Sequence, residues 1–152
     1  MRVEAWSETY ANEVATWHYD PPYDFYDLAS DPGDAAEMRD SAHAEHYRAV
    51  LADGDERLDA FWYFDWHANV VEVGIGLRPD LTSRGRGASF LRVQLGYATD
   101  RWAPASFRLF VAAWNERAIR LYERLGFRAV SREKRRFELV GEHEFLRMER
   151  KA

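Results

Sequence analysis

Apolar positions along the chain recur with two periods, and the changes of period mark its elements. Arg2 to Ala5 reads as a short edge strand. Ser7 offers an N-cap, Glu8 lies in the first turn, and Tyr10, Val14 and Trp17 recur at helical spacing, which predicts a helix over 8–17. It ends before His18-Tyr19-Asp20-Pro21-Pro22, because a residue preceding proline is pushed out of the helical region. Asp31-Pro32-Gly33 makes a turn, and Asp34 to His43 reads as a second short helix. His46 to Ala52, Leu58 to Trp66 and Val70 to Leu77 read as strands. The turns Asp53-Gly54-Asp55 and His67-Ala68-Asn69 join them into a three-stranded antiparallel meander.

Beyond residue 83 the helical period returns. Arg84 to Trp102 is a long helix whose apolar positions, Phe90, Leu91, Val93, Leu95 and Tyr97, form a broad stripe. Ser106 to Ala113 reads as a buried strand, and Asn115 to Leu125 as a helix closed by Gly126. Phe127 to Val130 and Phe137 to Val140 read as strand pieces joined by the charged run SREKRR, and Glu144 to Arg150 alternates in strand fashion. The order predicts a mixed α/β (α+β) domain, with residues 70–113 as a right-handed parallel crossover. The length of 152 residues predicts a single domain over 1–152.

Composition narrows the function classes. With 47% apolar and 31% charged residues the chain reads as an ordinary globular protein. A net charge of −5 argues against a nucleic-acid-binding surface. Cysteine is absent from these residues, which excludes disulfides, thiolate nucleophiles and cysteine zinc sites within them. His43 and His46 stand three apart, but no convincing third metal ligand accompanies them, so no metal is expected. The first residues lack an apolar leader and no apolar run approaches a membrane span, so a cytoplasmic location without membrane association is the expectation.

The candidate chemistry centres on Val71 to Ala88. Gly85 and Gly87 sit where the long helix begins, a place where backbone N–H groups and the helix dipole favour a phosphate, with Arg84 and Arg86 adding charge. The turn is not a Walker loop, since no Gly-Lys-Ser/Thr follows, and it lacks the third glycine of the dinucleotide fingerprint. Gly74 and Gly76 inside a strand mark a bulge or a close backbone approach. Asn115, Ala118 and Tyr122 are spaced to share one helix face. The segment Tyr19 to Tyr26 packs four aromatics, two prolines and two aspartates into eight residues. It reads as a loop capping the core or as an aromatic wall beside a substrate pocket.

Taken together, these motifs resemble the GNAT superfamily of acyl-CoA-dependent N-acetyltransferases. That family's Gln/Arg-x-x-Gly-x-Gly/Ala turn falls on Thr82 to Gly87, with Thr82 as a departure in the leading position. Its Asn-x-x-Ala-x-x-x-Tyr-x-x-x-Gly-Phe helix matches from Asn115 to Phe127. The resemblance covers residues 70–130 well and the N-terminal half in layout only. It implies the GNAT fold: a mixed six- to seven-stranded sheet with helices on both faces and a splayed central strand pair.

The resemblance further implies acetyl-CoA as co-substrate. Amides near Leu77 would hold the thioester carbonyl. Thr82, Arg84, Gly85, Arg86, Gly87 and Ala88 would take the pyrophosphate, and Asn115 and Ala118 would line the pantetheine. A primary amine, small or a peptide N-terminus, would attack the thioester directly, with Glu72 as base and Tyr122 as the acid for the departing thiolate. Tyr23, Phe25 and Tyr26 are the candidate acceptor-binding residues, with Asp20, Asp24, Asp27 and Glu72 as an acidic mouth. A non-catalytic acyl-CoA-binding or regulatory module is the alternative, in which Glu72 and Tyr122 would be dispensable. The aromatic strands offer a surface that a homodimer could use.

Overall fold

The computed structural model describes residues Met1–Ala152. Its α-helices and strands run β1 (Arg2–Ala5), α1 (Glu8–Val14), α2 (Pro32–Arg39), β2 (Tyr47–Leu51), β3 (Leu58–His67), β4 (Val70–Leu77), α3 (Arg86–Trp102), β5 (Ser106–Ala112), α4 (Glu116–Arg124), β6 (Arg128–Phe137) and β7 (Gly141–Lys151). The strands make one seven-stranded sheet in the order β1-β2-β3-β4-β5-β7-β6. The chain forms two compact units interleaved in sequence, the first made of 1–63, 75–82 and 137–140, the second of 64–74, 83–136 and 141–152.

In the first unit β1 and β2 pair antiparallel from Arg2↔Leu51 to Ala5↔Arg48, and β2 pairs antiparallel with the first half of β3. The side chains turned inward from these strands, among them Tyr47, Ala49, Leu51 and Leu58, pack with Trp6, Val14, Trp17, Leu28 and Met38. The Trp6 indole N–H donates to the Met38 carbonyl at 2.9 Å, so this buried aromatic keeps its polar end satisfied.

Helix α1 stops at Val14, three residues short of the expected Trp17. The Thr16 hydroxyl donates to the Glu13 carbonyl at 2.6 Å and the backbone tightens into i→i−3 bonds at Thr16 and Trp17. A threonine hydroxyl that takes a helix carbonyl competes with continuation of the helix. Trp17 is buried all the same. The expected helix over 34–43 is two elements. Asp31 caps α2 by accepting from the Asp34 N–H, with Pro32 as the first helical residue, and Asp40 then caps a separate 3-10 segment, Ser41–His46.

In the second unit β4 runs parallel to β5, with register from Val70↔Ser106 to Glu72↔Arg108. β5 and β7 pair antiparallel from Ser106↔Lys151 to Ala112↔Phe145. The alternation of β5 is clean, with Phe107, Leu109 and Val111 buried. Residues 128–137, expected as a strand piece, a charged connection and the start of another piece, are one strand. β6 is an edge strand exposed along nearly its whole length, so it carries no apolar alternation to read. Its Arg132 and Lys134 pair with Glu144 and Glu142 of β7, and such charges discourage further strand pairing at an edge.

Candidate functional site

The glycine turn ends in an uncapped helix. Gly85 occupies the N-cap position of α3 in the left-handed region, at φ 70°, and no side chain caps the helix. Ser83 also has positive φ, at 59°. The expected helix start at Arg84 therefore moves to Arg86, and the first N–H groups of a 17-residue helix are left without a side-chain cap at an exposed turn. Nothing lies within 4 Å of a Cβ built on Gly85, so backbone conformation rather than crowding calls for glycine there. The Arg86 guanidinium lies over the Phe90 ring of its own helix, 5.3 Å from the centroid. Arg117 of α4 donates to the Ser83 hydroxyl and brings a third cation to the turn, beside Arg84 and Arg86. The sequence motif gives no sign of Arg117, because its partner lies 34 residues away.

Helix α4 shows why its motif has those residue types. Asn115 is the cap rather than a helical residue. Its side chain is buried, and its carbonyl oxygen accepts from the Ala118 N–H at 3.1 Å. At the other end the Gly126 N–H bonds the Glu123 carbonyl and the Phe127 N–H bonds the Tyr122 carbonyl, each at 3.0 Å, with Gly126 at φ 92°. This is a Schellman closure, in which Tyr122 and Phe127 are the pair expected to touch. Their rings meet edge-on at 6.2 Å, and Phe127 is fully buried. Tyr122 is thus held by its backbone and its ring in one small device.

Two side chains of the second unit grip the amino half of β4. The Glu72 carboxylate accepts from Arg108 Nε at 3.1 Å, across the ladder from its register partner, and lies 3.8 Å from His67 Nε2. Gln94, fully buried on α3, donates its amide to the Gly74 carbonyl at 2.9 Å. A polar residue inside the apolar stripe of α3 is a sequence signal that the apolar count passes over.

In the first unit the carboxyl end of β4 is held as tightly. A Cβ on Gly76 would stand 2.1 Å from Cε1 of Phe61, so the expected close approach at this glycine is to an aromatic ring. The Arg78 N–H donates to the Asp59 carbonyl at 2.9 Å. Its guanidinium reaches the Leu58 carbonyl at 2.8 Å, Asp59 Oδ1 at 3.1 Å and Asp80 Oδ1 at 2.6 Å. The hydrogen bond from Arg78 holds the exposed Asp80 carboxyl below its ordinary range. Thr82, the atypical leading residue of the motif, turns its hydroxyl back to the Pro79 carbonyl at 2.6 Å. The Tyr19 hydroxyl donates to the Leu77 carbonyl at 2.6 Å.

The aromatic segment is ordered rather than open. Tyr23–Tyr26 is a 3-10 turn. Phe25 stands edge-on to Tyr26 at 5.1 Å and to Phe137 at 5.2 Å. Asp27, expected at an acidic mouth, is engaged internally. It accepts from the Tyr19 N–H at 2.9 Å and faces His18 Nδ1 at 3.1 Å. Asp20 and Asp24 remain exposed.

Comparison with known proteins identifies the family and the fold. The model of the acetyltransferase (GNAT) family matches residues 4–127. A mycothiol acetyltransferase of Corynebacterium aurimucosum is 30% identical over 141 residues, which cover 82% of this chain and 43% of that protein. The chain thus spans less than half the length of this relative. Among solved structures, a spermidine N-acetyltransferase SpeG chimera from Vibrio cholerae and hSSAT superposes with a TM-score of 0.74 at 18% identity, over 99% of this chain and 96% of that one. A GNAT acetyltransferase from Bacillus anthracis gives a TM-score of 0.75 at 13% identity, over 98% and 93%. The ribosomal-protein-S18-alanine N-acetyltransferase of Escherichia coli gives 0.68 at 20%, over 99% and 92%. At these identities the structural likenesses speak for the fold.

Proposed function

The chain belongs to the acetyltransferase (GNAT) family, and from that premise we propose that it is an acetyl-CoA-dependent N-acetyltransferase acting on a primary amine, either a small amine or a peptide N-terminus. The observation that carries the reading is the uncapped start of α3 behind Gly85, with Arg117 drawn to Ser83. This arrangement suits a pyrophosphate. The amides of 84–88, with Arg84 and Arg86, bind that group of the co-substrate. Ala118 lines its pantetheine arm, beside the Asn115 cap.

The amine lone pair adds to the thioester carbonyl carbon, forming the C–N bond, and the C–S bond breaks. The Leu77 N–H stabilises the charge on the carbonyl oxygen. Tyr122 gives its proton to the departing thiolate and regains one from solvent. The proton lost by the amine passes to Glu72, directly or through water, while one oxygen of its carboxylate accepts from Arg108 Nε. A lysine-like amine, with a pKa of about 10.4, is roughly 0.1% neutral at physiological pH and needs that base, whereas an α-amine near about 8 needs it far less. Tyr23, Phe25 and Tyr26 form the acceptor wall. The names of structural neighbours, a spermidine N-acetyltransferase and a ribosomal-protein-S18-alanine N-acetyltransferase, support an amine acceptor.

Release of the CoA thiol from acetyl-CoA, measured over small polyamines and peptides with free N-termini, tests the proposal. Turnover on one class of amine is expected. Tight CoA binding with no turnover on any of them would leave an acyl-CoA-binding module instead.

A further inference from the structure

The peptide group joining Leu77 to Arg78 is fixed at both of its ends. Its N–H donates to the Asp59 carbonyl of β3 at 2.9 Å, and its C=O accepts from the Tyr19 hydroxyl at 2.6 Å. The two ends of a planar trans peptide point in opposite directions. The Tyr19 hydroxyl therefore meets β4 on the side facing away from β3. In an extended strand the N–H and C=O of one residue point to the same side. The Leu77 N–H consequently emerges on that same side, next to the carbonyl that Tyr19 holds.

We propose that Tyr19 is a positioning residue for acyl transfer: by holding the Leu77 carbonyl, its hydroxyl fixes the tilt of the β4 end and so aims the Leu77 N–H as donor to the thioester carbonyl. The proposal rests on the acetyl-transfer reading above. Three further observations support it. The Arg78 side chain pins the next residue to the Leu58 carbonyl and to Asp59, so the phenol acts on a strand end already restrained on its other side. Burial, followed by the charge of Asp27, pushes the Tyr19 hydroxyl above its ordinary value, so it stays a donor throughout the neutral range. The Tyr19 N–H is itself tied to Asp27 Oδ1 at 2.9 Å, which anchors the phenol to the segment 19–27 that is expected to wall the acceptor. One residue thereby joins the order of the acceptor loop to the aim of the acyl donor contact.

Tyr19→Phe removes only the hydroxyl. The readout is the infrared band of acetyl-CoA labelled with carbon-13 at the thioester carbonyl, bound without acceptor, together with kcat, the KM for amine and the affinity for CoA. The proposal expects the bound carbonyl band of the variant to move back toward its position in water. It also expects kcat to fall about tenfold or more, a smaller loss than the ~100-fold or more that follows outright removal of an oxyanion donor. CoA affinity should stay within about twofold. A variant with an unchanged carbonyl band and unchanged kcat overturns the proposal, even if its melting temperature drops, because a purely structural phenol would give that pattern. Absence of turnover in the wild-type protein would count against acetyl transfer itself, while the carbonyl band, which needs no acceptor, still decides the role of Tyr19.

Discussion

The side-chain amide of Gln94 donates to the backbone carbonyl of Gly74 at 2.9 Å, from a residue with no solvent exposure. A helix side chain thus supplies a hydrogen bond in the middle of a strand, close to where the register of β4 with β5 runs out at Glu72↔Arg108. Gln94→Leu keeps the volume and removes the donor. It should destabilise the fold by about 1–3 kcal/mol, the usual cost of depriving a buried polar group of its partner. Urea unfolding checks this as a lower midpoint at constant slope. A midpoint equal to wild type would mean that the Gly74 carbonyl does not depend on Gln94.

Gly76 should resist substitution for a different reason. The Phe61 ring that fills the place of its side chain packs against Trp6 at 6.0 Å and Trp17 at 6.2 Å, so it has little room to retreat. Gly76→Ala should cost about 1–3 kcal/mol by overpacking. Phe61→Leu in the same chain should recover part of that loss, a coupling that a double-mutant cycle on denaturant midpoints measures.

Tyr122 and Glu72 should separate in kinetics. Tyr122→Phe keeps the ring against Phe127 and the Schellman closure, so folding should be unchanged while kcat falls roughly 100-fold or more, in the range of general acid catalysis. Glu72→Gln should slow amines of high pKa more than α-amines and shift the pH profile of kcat/KM for the former. Equal slowing of both amine classes, with a lowered denaturant midpoint, would reduce Glu72 to its ion pair with Arg108.

Three tyrosines should govern the alkaline limit of stability. Burial, followed by a hydrogen bond to Glu4, pushes the Tyr10 hydroxyl up to about 12, and burial also raises Tyr19 and Tyr47. A phenol whose folded value lies above its unfolded value of about 10 contributes stability that is complete below that pH and is lost as pH climbs through the folded value. The denaturant midpoint should therefore fall between about pH 10 and about 12, and Tyr10→Phe should flatten part of the fall. A midpoint that holds steady across that window would contradict these shifts.

What the sequence disclosed and what it withheld follow from the range of each interaction. Asn115, Gly126 and Phe127 announce α4 because they are its cap and closure, local devices that sit where the chain needs them. Gly85 announces the turn because its left-handed backbone is a single-residue requirement. The family model and the neighbouring folds agree with the family and the fold that these motifs suggest. By contrast, β6 reads as two strand pieces joined by a charged connection, because an exposed edge strand has no buried face to leave a period-two pattern. The insertion of β7 between β5 and β6 depends on pairings that no local pattern encodes. The hydrogen bonds of Tyr19 to Leu77 and of Arg117 to Ser83 leave no local pattern because the partners lie 58 and 34 residues apart. Thr16 truncates α1 through a hydroxyl bond that an apolar count does not register.

Transfer of an acetyl group from CoA to an amine nitrogen can be read in a single incubation of the protein with carbon-13 acetyl-CoA and the panel of polyamines and free-N-terminal peptides, followed by mass spectrometry. One labelled N-acetyl amine is expected for each CoA thiol released, with the yield strongly reduced in Tyr122→Phe. Thiol release without a labelled amine, or no release at all while CoA remains bound, would contradict it.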